Sequence, residues 1–130
     1  MSDNKTLITT YIEAVGAGRL DEVATHLSPA VTFSGPGMPV ISGSDGFITA
    51  LERLQPIIAR NEIKSVLIDG DQACVLYDLV TDTPVGPVVS AEWLTIDNGQ
   101  IKSTYLLFDK ARWTEVLEHL KLRAQAPDPR

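Results

Sequence analysis

Four strand-like segments follow one another in the second half of the sequence, and they constrain the fold more than any other feature. Each is rich in apolar and β-branched residues, and the segments span 63–68, 73–81, 88–96 and 100–108. Asp69-Gly70 and Asn98-Gly99 separate neighbouring segments, and Asn-Gly between apolar runs is a strong signal for a tight hairpin. The order therefore predicts an antiparallel meander.

Helical spacing dominates the rest of the chain. Apolar residues recur every three or four positions in three segments before the meander and in one after it. Ser2 or Asp3, Ser44 and Asp109 are suitable N-caps for the first, third and last of these helices. We expect a short strand at 31–33 before the third helix. Helices followed by a run of strands are typical of the α+β class.

Glycine and proline set the expected ends of these helices. Gly16 and Gly18 are expected to end the first helix, and Pro29 to stop the second, because a residue preceding proline avoids the helical conformation. Pro56 is expected to end or kink the third helix, whose apolar stripe reaches Ile58.

Size and charge favour a single domain that does not bind nucleic acid. The chain has 130 residues, 44% of them apolar, and a formal net charge of -6. Its lysines and arginines are scattered, whereas a phosphate backbone requires clustered positive charge. No apolar run approaches the ~20 residues of a membrane span, and no secretory signal is apparent. We predict one domain over 1–123, a disordered tail over 124–130 and a cytoplasmic location, which the single cysteine also favours.

The strand-like residues 74–80 are apolar on both of their alternating faces. One face comprises Val75, Tyr77 and Leu79, and the other comprises Cys74, Leu76 and Val80. A sheet that faces water on one side should instead alternate apolar and polar residues. We therefore predict that helices cover one face and that a second copy of the chain covers the other, in a homodimer.

Four stretches of the sequence share features with a known family: residues 11–21, 27–33, 41–43 before Phe47, and 96–101 followed by Phe108-Asp109. In this order they resemble the nuclear transport factor two-like superfamily, which includes ketosteroid isomerases, polyketide cyclases and limonene-epoxide hydrolases. The resemblance implies a curved, mixed, mostly antiparallel sheet that forms a cone. N-terminal helices would close the cone, a C-terminal helix would follow, and the outer sheet face would make the dimer.

The same resemblance implies a polar pair inside the cone. Tyr11 matches the tyrosine on the first helix of ketosteroid isomerase, and Glu92 matches its protonated carboxylic acid. A carboxyl group in an apolar site stays neutral and can donate a hydrogen bond, so the two groups would form an oxyanion hole. The alternatives are that Glu92 is exposed or paired with an arginine, and that Tyr11 is a core aromatic residue.

The general base of ketosteroid isomerase has no counterpart in the matching place. Ser34 or Gly35 stands there, and neither can abstract a proton from carbon. A proton-shuttling steroid isomerase therefore requires another carboxylate, such as Asp45 or Asp78.

The catalytic set of the limonene-epoxide hydrolases is also missing. These enzymes use an Asp-Arg-Asp arrangement, whose key aspartate lies three residues before the aspartate that ends the last strand. Asp109 marks that strand end here, and the residue three before it is Leu106.

The resemblance also implies a pocket for a small lipophilic molecule inside the cone, and the alternative is a filled core. Alternation along the strands selects the residues that would line such a pocket. The predicted lining residues are Val75, Tyr77, Leu79, Leu94, Leu106 and Phe108 on the sheet, with Phe33, Met38, Leu54 and Ile58 above it. Such a pocket suits an isomerase, cyclase or hydrolase acting on a small apolar carbonyl or epoxide compound. A non-catalytic ligand-binding module and a dimeric interaction domain are the alternatives. We expect no cofactor and no metal.

Overall fold

The structure is a computed structural model, and it describes residues 3–125. The described residues form four α-helices, six β-strands and one short 3-10 turn. The helices are α1 (Asn4–Ala17), α2 (Leu20–His26), α3 (Ser44–Leu54) and α4 (Lys110–Gln125). The strands are β1 (Leu27–Ser34), β2 (Ile41–Ser42), β3 (Ile58–Asp69), β4 (Gln72–Thr81), β5 (Pro87–Asp97) and β6 (Gln100–Phe108).

All six strands belong to one open, curved sheet with the order β2-β1-β6-β5-β4-β3. β1 and β6 run parallel, and every other neighbouring pair is antiparallel. Register shifts interrupt the β1–β6, β3–β4 and β5–β6 pairs, and such bulges bend and twist a sheet. The predicted α+β class and the mixed, mostly antiparallel sheet are therefore confirmed.

Helix α1 packs on the inner face of the sheet and approaches β3 closely. The prediction that Gly16 ends this helix is wrong, because Gly16 lies within α1. A Cβ atom at this position would overlap the backbone of Asn61 in β3, so glycine permits the close packing. Gly18 ends the helix as expected, with a φ of 75° that favours glycine.

Strand β1 begins at Leu27, four residues earlier than the sequence indicates. Pro29 lies inside this strand, where a proline would normally remove a ladder hydrogen bond. The pairing with β6 is irregular between Leu27 and Thr32, and such irregular positions tolerate proline. The proline stops α2 as predicted, but it does not delay the strand.

The meander follows the predicted order, and only β3 is much longer than expected. α3 ends at Leu54, Pro56 lies in the 3-10 turn Gln55–Ile57, and Ile58 already begins β3. Residues 60–62 are polar and show no apolar alternation, because β3 is the edge strand and is partly exposed there. The turn between β5 and β6 has positive φ angles at Asn98 and Gly99, as the hairpin signal predicts.

Helix α4 returns to the sheet and packs on a second apolar cluster. The Asp109 carboxylate accepts a hydrogen bond from the backbone N–H of Arg112 at 3.3 Å, as expected of an N-cap. Val116 of α4 packs with Ile57 and Val88. The helix continues to Gln125, so it includes the first two residues of the predicted tail; the other five lie outside the described residues, as does Ser2. Within 3–125, no helix has the length and apolar character of a membrane span.

Candidate functional site

An apolar cavity of about 300 Å³ lies between the inner face of the sheet and the helices. Its walls combine residues of α1, α3 and α4 with residues of β1, β4, β5 and β6. Among the lining residues, the polar or charged side chains belong to Tyr11, Arg53, Tyr77, Ser90 and Glu92, together with the indole of Trp113. An apolar enclosure with few polar groups is typical of small-molecule sites.

The structure places most of the predicted lining residues along this cavity. They are Phe33, Met38, Leu54, Ile58, Tyr77, Leu79, Leu106 and Phe108. Val75 and Leu94 do not line it, because both are fully buried in the closed core with Ile8 and Ile12 of α1. Alternation along a strand predicts the face of a residue, but it does not predict where helix packing fills the space above that face.

Glu92 lies at the inner wall of the cavity and is only 3% exposed. The Tyr77 hydroxyl donates to its Oε1 at 2.9 Å, and the Tyr11 hydroxyl donates to its Oε2 at 3.1 Å. Glu92 is therefore not exposed, and it does not pair with an arginine between residues 3 and 125; these were the two alternatives considered from sequence. Tyr11 is buried in the core, and its hydroxyl reaches this carboxyl group instead of the surface.

Strand register explains how these three side chains meet. Tyr77 of β4 is opposite Ser90 of β5, so Glu92 is its diagonal neighbour on the same inner face. Tyr11 projects from the face of α1 that packs on the sheet, and its ring meets Phe47 edge to face at 6.4 Å. The sequence predicted Tyr77 only as a lining residue. Its contact with Glu92 required the β4–β5 register, which the apolar Pro84–Pro87 connection did not fix.

Burial changes the acidity of all three groups. Desolvation raises the pKa of Glu92 to about 7, although the hydrogen bonds from Tyr77 and Tyr11 lower it. Desolvation, followed by the neighbouring Glu92 charge, raises the pKa of both tyrosines well above the ordinary value, so both remain hydroxyl donors. Near neutral pH, Glu92 can therefore exchange a proton while the tyrosines keep theirs.

The arrangement differs from the oxyanion hole that the resemblance implied. There, the tyrosine and the acid would donate side by side to one ligand oxygen. Here, Tyr11 donates to Glu92 itself, and Tyr77 does the same from the other side. A protonated carboxyl group keeps acceptor capacity while it donates its own proton, so Glu92 can accept both hydroxyls and still serve a ligand.

None of the other proposed catalytic positions contributes a carboxylate to the cavity. Asp45 is exposed in the first turn of α3, and Asp78 faces the outer side of the sheet, 3.4 Å from the Lys64 ammonium group. Ser34 and Gly35 are not among the lining residues. Of the carboxyl groups described between residues 3 and 125, only that of Glu92 lines the cavity. In the same range, no three His, Cys, Asp or Glu residues cluster as a metal site would require.

A family model described as the SnoaL-like domain matches residues 8–104, which is most of the chain. The chain belongs to the SnoaL-like domain family. This family lies within the nuclear transport factor two-like superfamily, so the resemblance predicted from the sequence is confirmed. The match runs from the second turn of α1 to the middle of β6 and includes Tyr11, Tyr77 and Glu92.

Solved structures share the fold of this SnoaL-like domain at low sequence identity. A protein from Kribbella flavida is 23% identical with a TM-score of 0.77, over 93% of this chain and 96% of its own. A second protein from that organism, provisionally named a ketosteroid isomerase, is 17% identical with a TM-score of 0.71, over 80% and 76%. A protein from Jannaschia, provisionally named a SnoaL-like polyketide cyclase, is 19% identical with a TM-score of 0.71, over 87% and 90%.

These similarities establish the fold of the SnoaL-like domain and not its chemistry. No curated protein sequence matches the chain significantly. One scaffold of this kind can carry unrelated activities, so the function has to be argued from the cavity.

Proposed function

We propose that this SnoaL-like domain binds a small, mainly apolar carbonyl or epoxide compound and acts on it as an isomerase, cyclase or hydrolase, with Glu92 as the proton donor. One observation carries the proposal: a buried carboxyl group stands in the wall of an apolar cavity, held on both oxygens by tyrosine hydroxyls. The volume of about 300 Å³ is at the low end of the ~300–1,000 Å³ range of ligand sites, which favours a small substrate.

Glu92 suits general acid catalysis at neutral pH. Its pKa of about 7 keeps a substantial protonated fraction there, and a catalytic acid works best when its pKa is near the operating pH. Protonated Glu92 would donate to the carbonyl or epoxide oxygen of the ligand. As the proton leaves, negative charge grows on the carboxylate.

Tyr11 and Tyr77 would stabilise that charge. Their hydrogen bonds lower the pKa of Glu92, which means that they bind the ionised form more strongly than the neutral form. An interaction that strengthens as charge develops lowers the barrier, whereas one that is equal before and after does not. The tyrosines would therefore assist the proton transfer and also fix the direction of the carboxyl group.

The cavity favours reactions that begin with protonation of oxygen. Glu92 is the one carboxyl among its described lining residues, so a second base for removing a carbon-bound proton is missing there. Opening of an epoxide, or activation of a carbonyl for ring closure, needs the acid first. A proton shuttle between two carbon atoms would require Glu92 to act alone as acid and base.

A thermal-shift screen with small ketones, epoxides, terpenes and phenols tests the proposal, followed by a turnover assay for each ligand found. Ligand at a hundred times its dissociation constant should stabilise the native state by about 2.7 kcal/mol. Glu92→Gln should abolish turnover, and Tyr11→Phe should reduce it. Glu13→Gln, the same chemical change on the exposed face of α1, should change neither binding nor turnover.

A non-catalytic binding module is the second candidate, favoured by the missing second base. It predicts that ligands bind without turnover and that Glu92→Gln leaves binding intact. If no class of small molecule shifts the melting temperature, both candidates are contradicted.

We also propose that the chain forms a homodimer through the outer face of the sheet. Val89, Trp93 and Leu107 are 65%, 53% and 46% exposed on this face. Leu76 and Tyr105 adjoin them on neighbouring strands and are also exposed. Apolar patches of this kind are typical of protein interfaces.

A further inference from the structure

Arg53 lines the cavity at its exposed end. The residue lies in the last turn of α3, it is exposed to solvent, and its neighbour Leu54 also lines the cavity. Glu92 is buried in the wall of the same cavity. The described lining thus contains a cation near solvent and a buried carboxylic acid.

The structure describes five arginines, and the guanidinium group of Arg53 differs from the other four in its bonding partners. Arg19 and Arg60 pair with Glu22 and Glu62, at 2.7 and 2.6 Å. Arg112 donates to the backbone carbonyls of Val85 and Pro87, and Arg123 donates to those of Pro56 and Asp82. Arg53 alone among these five forms neither a hydrogen bond nor an ion pair with a described residue. Its donors are therefore available to a ligand.

We propose that the ligand carries an anionic group, a carboxylate, which pairs with Arg53 while its carbonyl or epoxide oxygen reaches Glu92. The substrate class would then be a small oxo or epoxy acid with an apolar middle section. This inference rests on the proposed function. That proposal places the carbonyl or epoxide oxygen of the ligand at Glu92, and the inference adds a carboxylate that binds Arg53.

The chemistry of the two ends favours this class. A guanidinium group presents planar paired donors that match the two oxygens of a carboxylate. The walls between the ends are formed mainly by apolar side chains, which suit a hydrocarbon section. Two polar anchors, one near solvent and one buried, would fix both the position and the direction of a ligand, which apolar walls alone cannot do. The alternative is that the stem of Arg53 merely covers apolar surface at the opening.

Isothermal titration calorimetry with matched acids and amides tests the inference. The probes are 4-acetylbenzoate and 3-(4-acetylphenyl)propanoate, each beside its uncharged primary amide of nearly the same size. At pH 6 the acids are ionised, whereas the pKa of about 7 leaves Glu92 mostly protonated. At least one acid should bind about fivefold more tightly than its amide, the upper range for a solvent-exposed ion pair.

Three variants test whether Arg53 causes the tighter binding of the acid. Arg53→Gln should remove the preference for the acid and leave the affinity for the amide unchanged. Arg53→Lys, which keeps the charge without the paired donors, should retain part of it. Lys102→Gln removes the same charge from an exposed position at the far end of β6 from Phe108, and it should retain all of it. The acid preference of the wild-type chain should also weaken with added salt, which a purely structural role of Arg53 would not predict.

The outcomes separate this inference from the proposed function. If acid and amide bind equally in the wild-type chain, or if Arg53→Gln keeps the preference, the role of Arg53 is wrong. The proposed function then stands if Glu92→Gln weakens binding of the amide. If neither the acids nor the amides bind, the inference is contradicted, and the thermal-shift screen over all compound classes decides the proposed function separately.

Discussion

The middle of strand β5 differs sharply between its two faces, although Val88, Leu94 and Ile96 make the rest of the inner face apolar. The inner face contains Ser90 and Glu92, which are buried, whereas the outer face contains Val89 and Trp93, which are exposed. In an ordinary sheet with one wet side, the polar residues would face water and the apolar residues would face the core. At positions 89, 90, 92 and 93 this pattern is reversed, which folding of the isolated chain does not explain. The inner acid points to chemistry within the cavity, and the outer apolar surface points to a partner.

The largest expected effect comes from the inner face and concerns pH. In the unfolded chain Glu92 ionises near 4.5, whereas in the folded chain its pKa is about 7 because of burial. Below pH 4.5 the carboxyl group is protonated in both the folded and the unfolded chain, so its ionisation does not reduce the free energy of unfolding. As the pH rises through this window the unfolded chain ionises first, so this group should remove roughly 3 kcal/mol from the free energy of unfolding.

Urea denaturation of the wild-type chain and of Glu92→Gln between pH 4 and pH 8 measures this difference. The stability of wild type relative to the variant should fall across the window and then level off above pH 7. A constant difference over the whole range would show that the carboxyl is not desolvated in the folded state.

The second prediction compares the loss of stability when one tyrosine on each face of the sheet is replaced by phenylalanine. Tyr77→Phe removes a hydrogen bond to the Glu92 carboxyl and should cost roughly 1.5–3 kcal/mol at pH 8, where the carboxylate is ionised. Tyr105 lies on the outer face, and its hydroxyl forms no hydrogen bond with a residue in 3–125. Tyr105→Phe should therefore change stability by less than ~0.5 kcal/mol in the monomer.

Carbon-13 NMR of the glutamate carboxyl groups gives an independent measurement. Because the Tyr77 hydrogen bond lowers the pKa of Glu92, Tyr77→Phe should raise that pKa, and Tyr105→Phe should leave it in place. If both substitutions changed the pKa of Glu92 equally, the hydrogen bond from Tyr77 would not be the cause of the change.

Sequence patterns predicted the sheet better than the site, and the reason is physical. Alternation and turn residues are local features of the sequence, so they predicted the ends of β4, β5 and β6 to within one residue. The contact between Tyr77 and Glu92 depends on cross-strand register, and the lining role of Arg53 depends on where α3 lies above the sheet. Val75 and Leu94 were placed on the correct face, but the packing of α1 closed the space above them. Tertiary packing therefore decided what the local patterns left open.

A third prediction tests the outer face. Leu107→Lys places a charge within the exposed apolar surface, where it would be buried without a partner if a second copy covers this face. The wild-type chain should elute as a dimer at micromolar concentration in size-exclusion chromatography with light scattering, and the variant should elute as a monomer. The stability of the variant monomer should change by less than ~1 kcal/mol, because Leu107 is half-exposed there.

Leu122→Lys provides the matched control for this experiment. Leu122 is 59% exposed on α4, so the substitution makes the same chemical change away from the sheet. It should leave the dimer intact. A wild-type chain that is monomeric at these concentrations would contradict the proposed homodimer.

The smallest expected effect concerns Asp78 of β4, which lies on the outer face of the sheet, whereas Glu92 of the neighbouring strand lies on the inner face. Asp78 of β4 lies on the outer side, 3.4 Å from Lys64, and the Lys64 side chain is 58% exposed. Such a pair is screened by solvent and gains little from its attraction, so Asp78→Asn should change the free energy of unfolding by less than ~1 kcal/mol. Urea denaturation at pH 7 in low and high salt measures it, and salt should reduce even this difference. A loss as large as that expected for Tyr77→Phe would mean that the pair is desolvated in solution, as it would be if a second copy of the chain covered it.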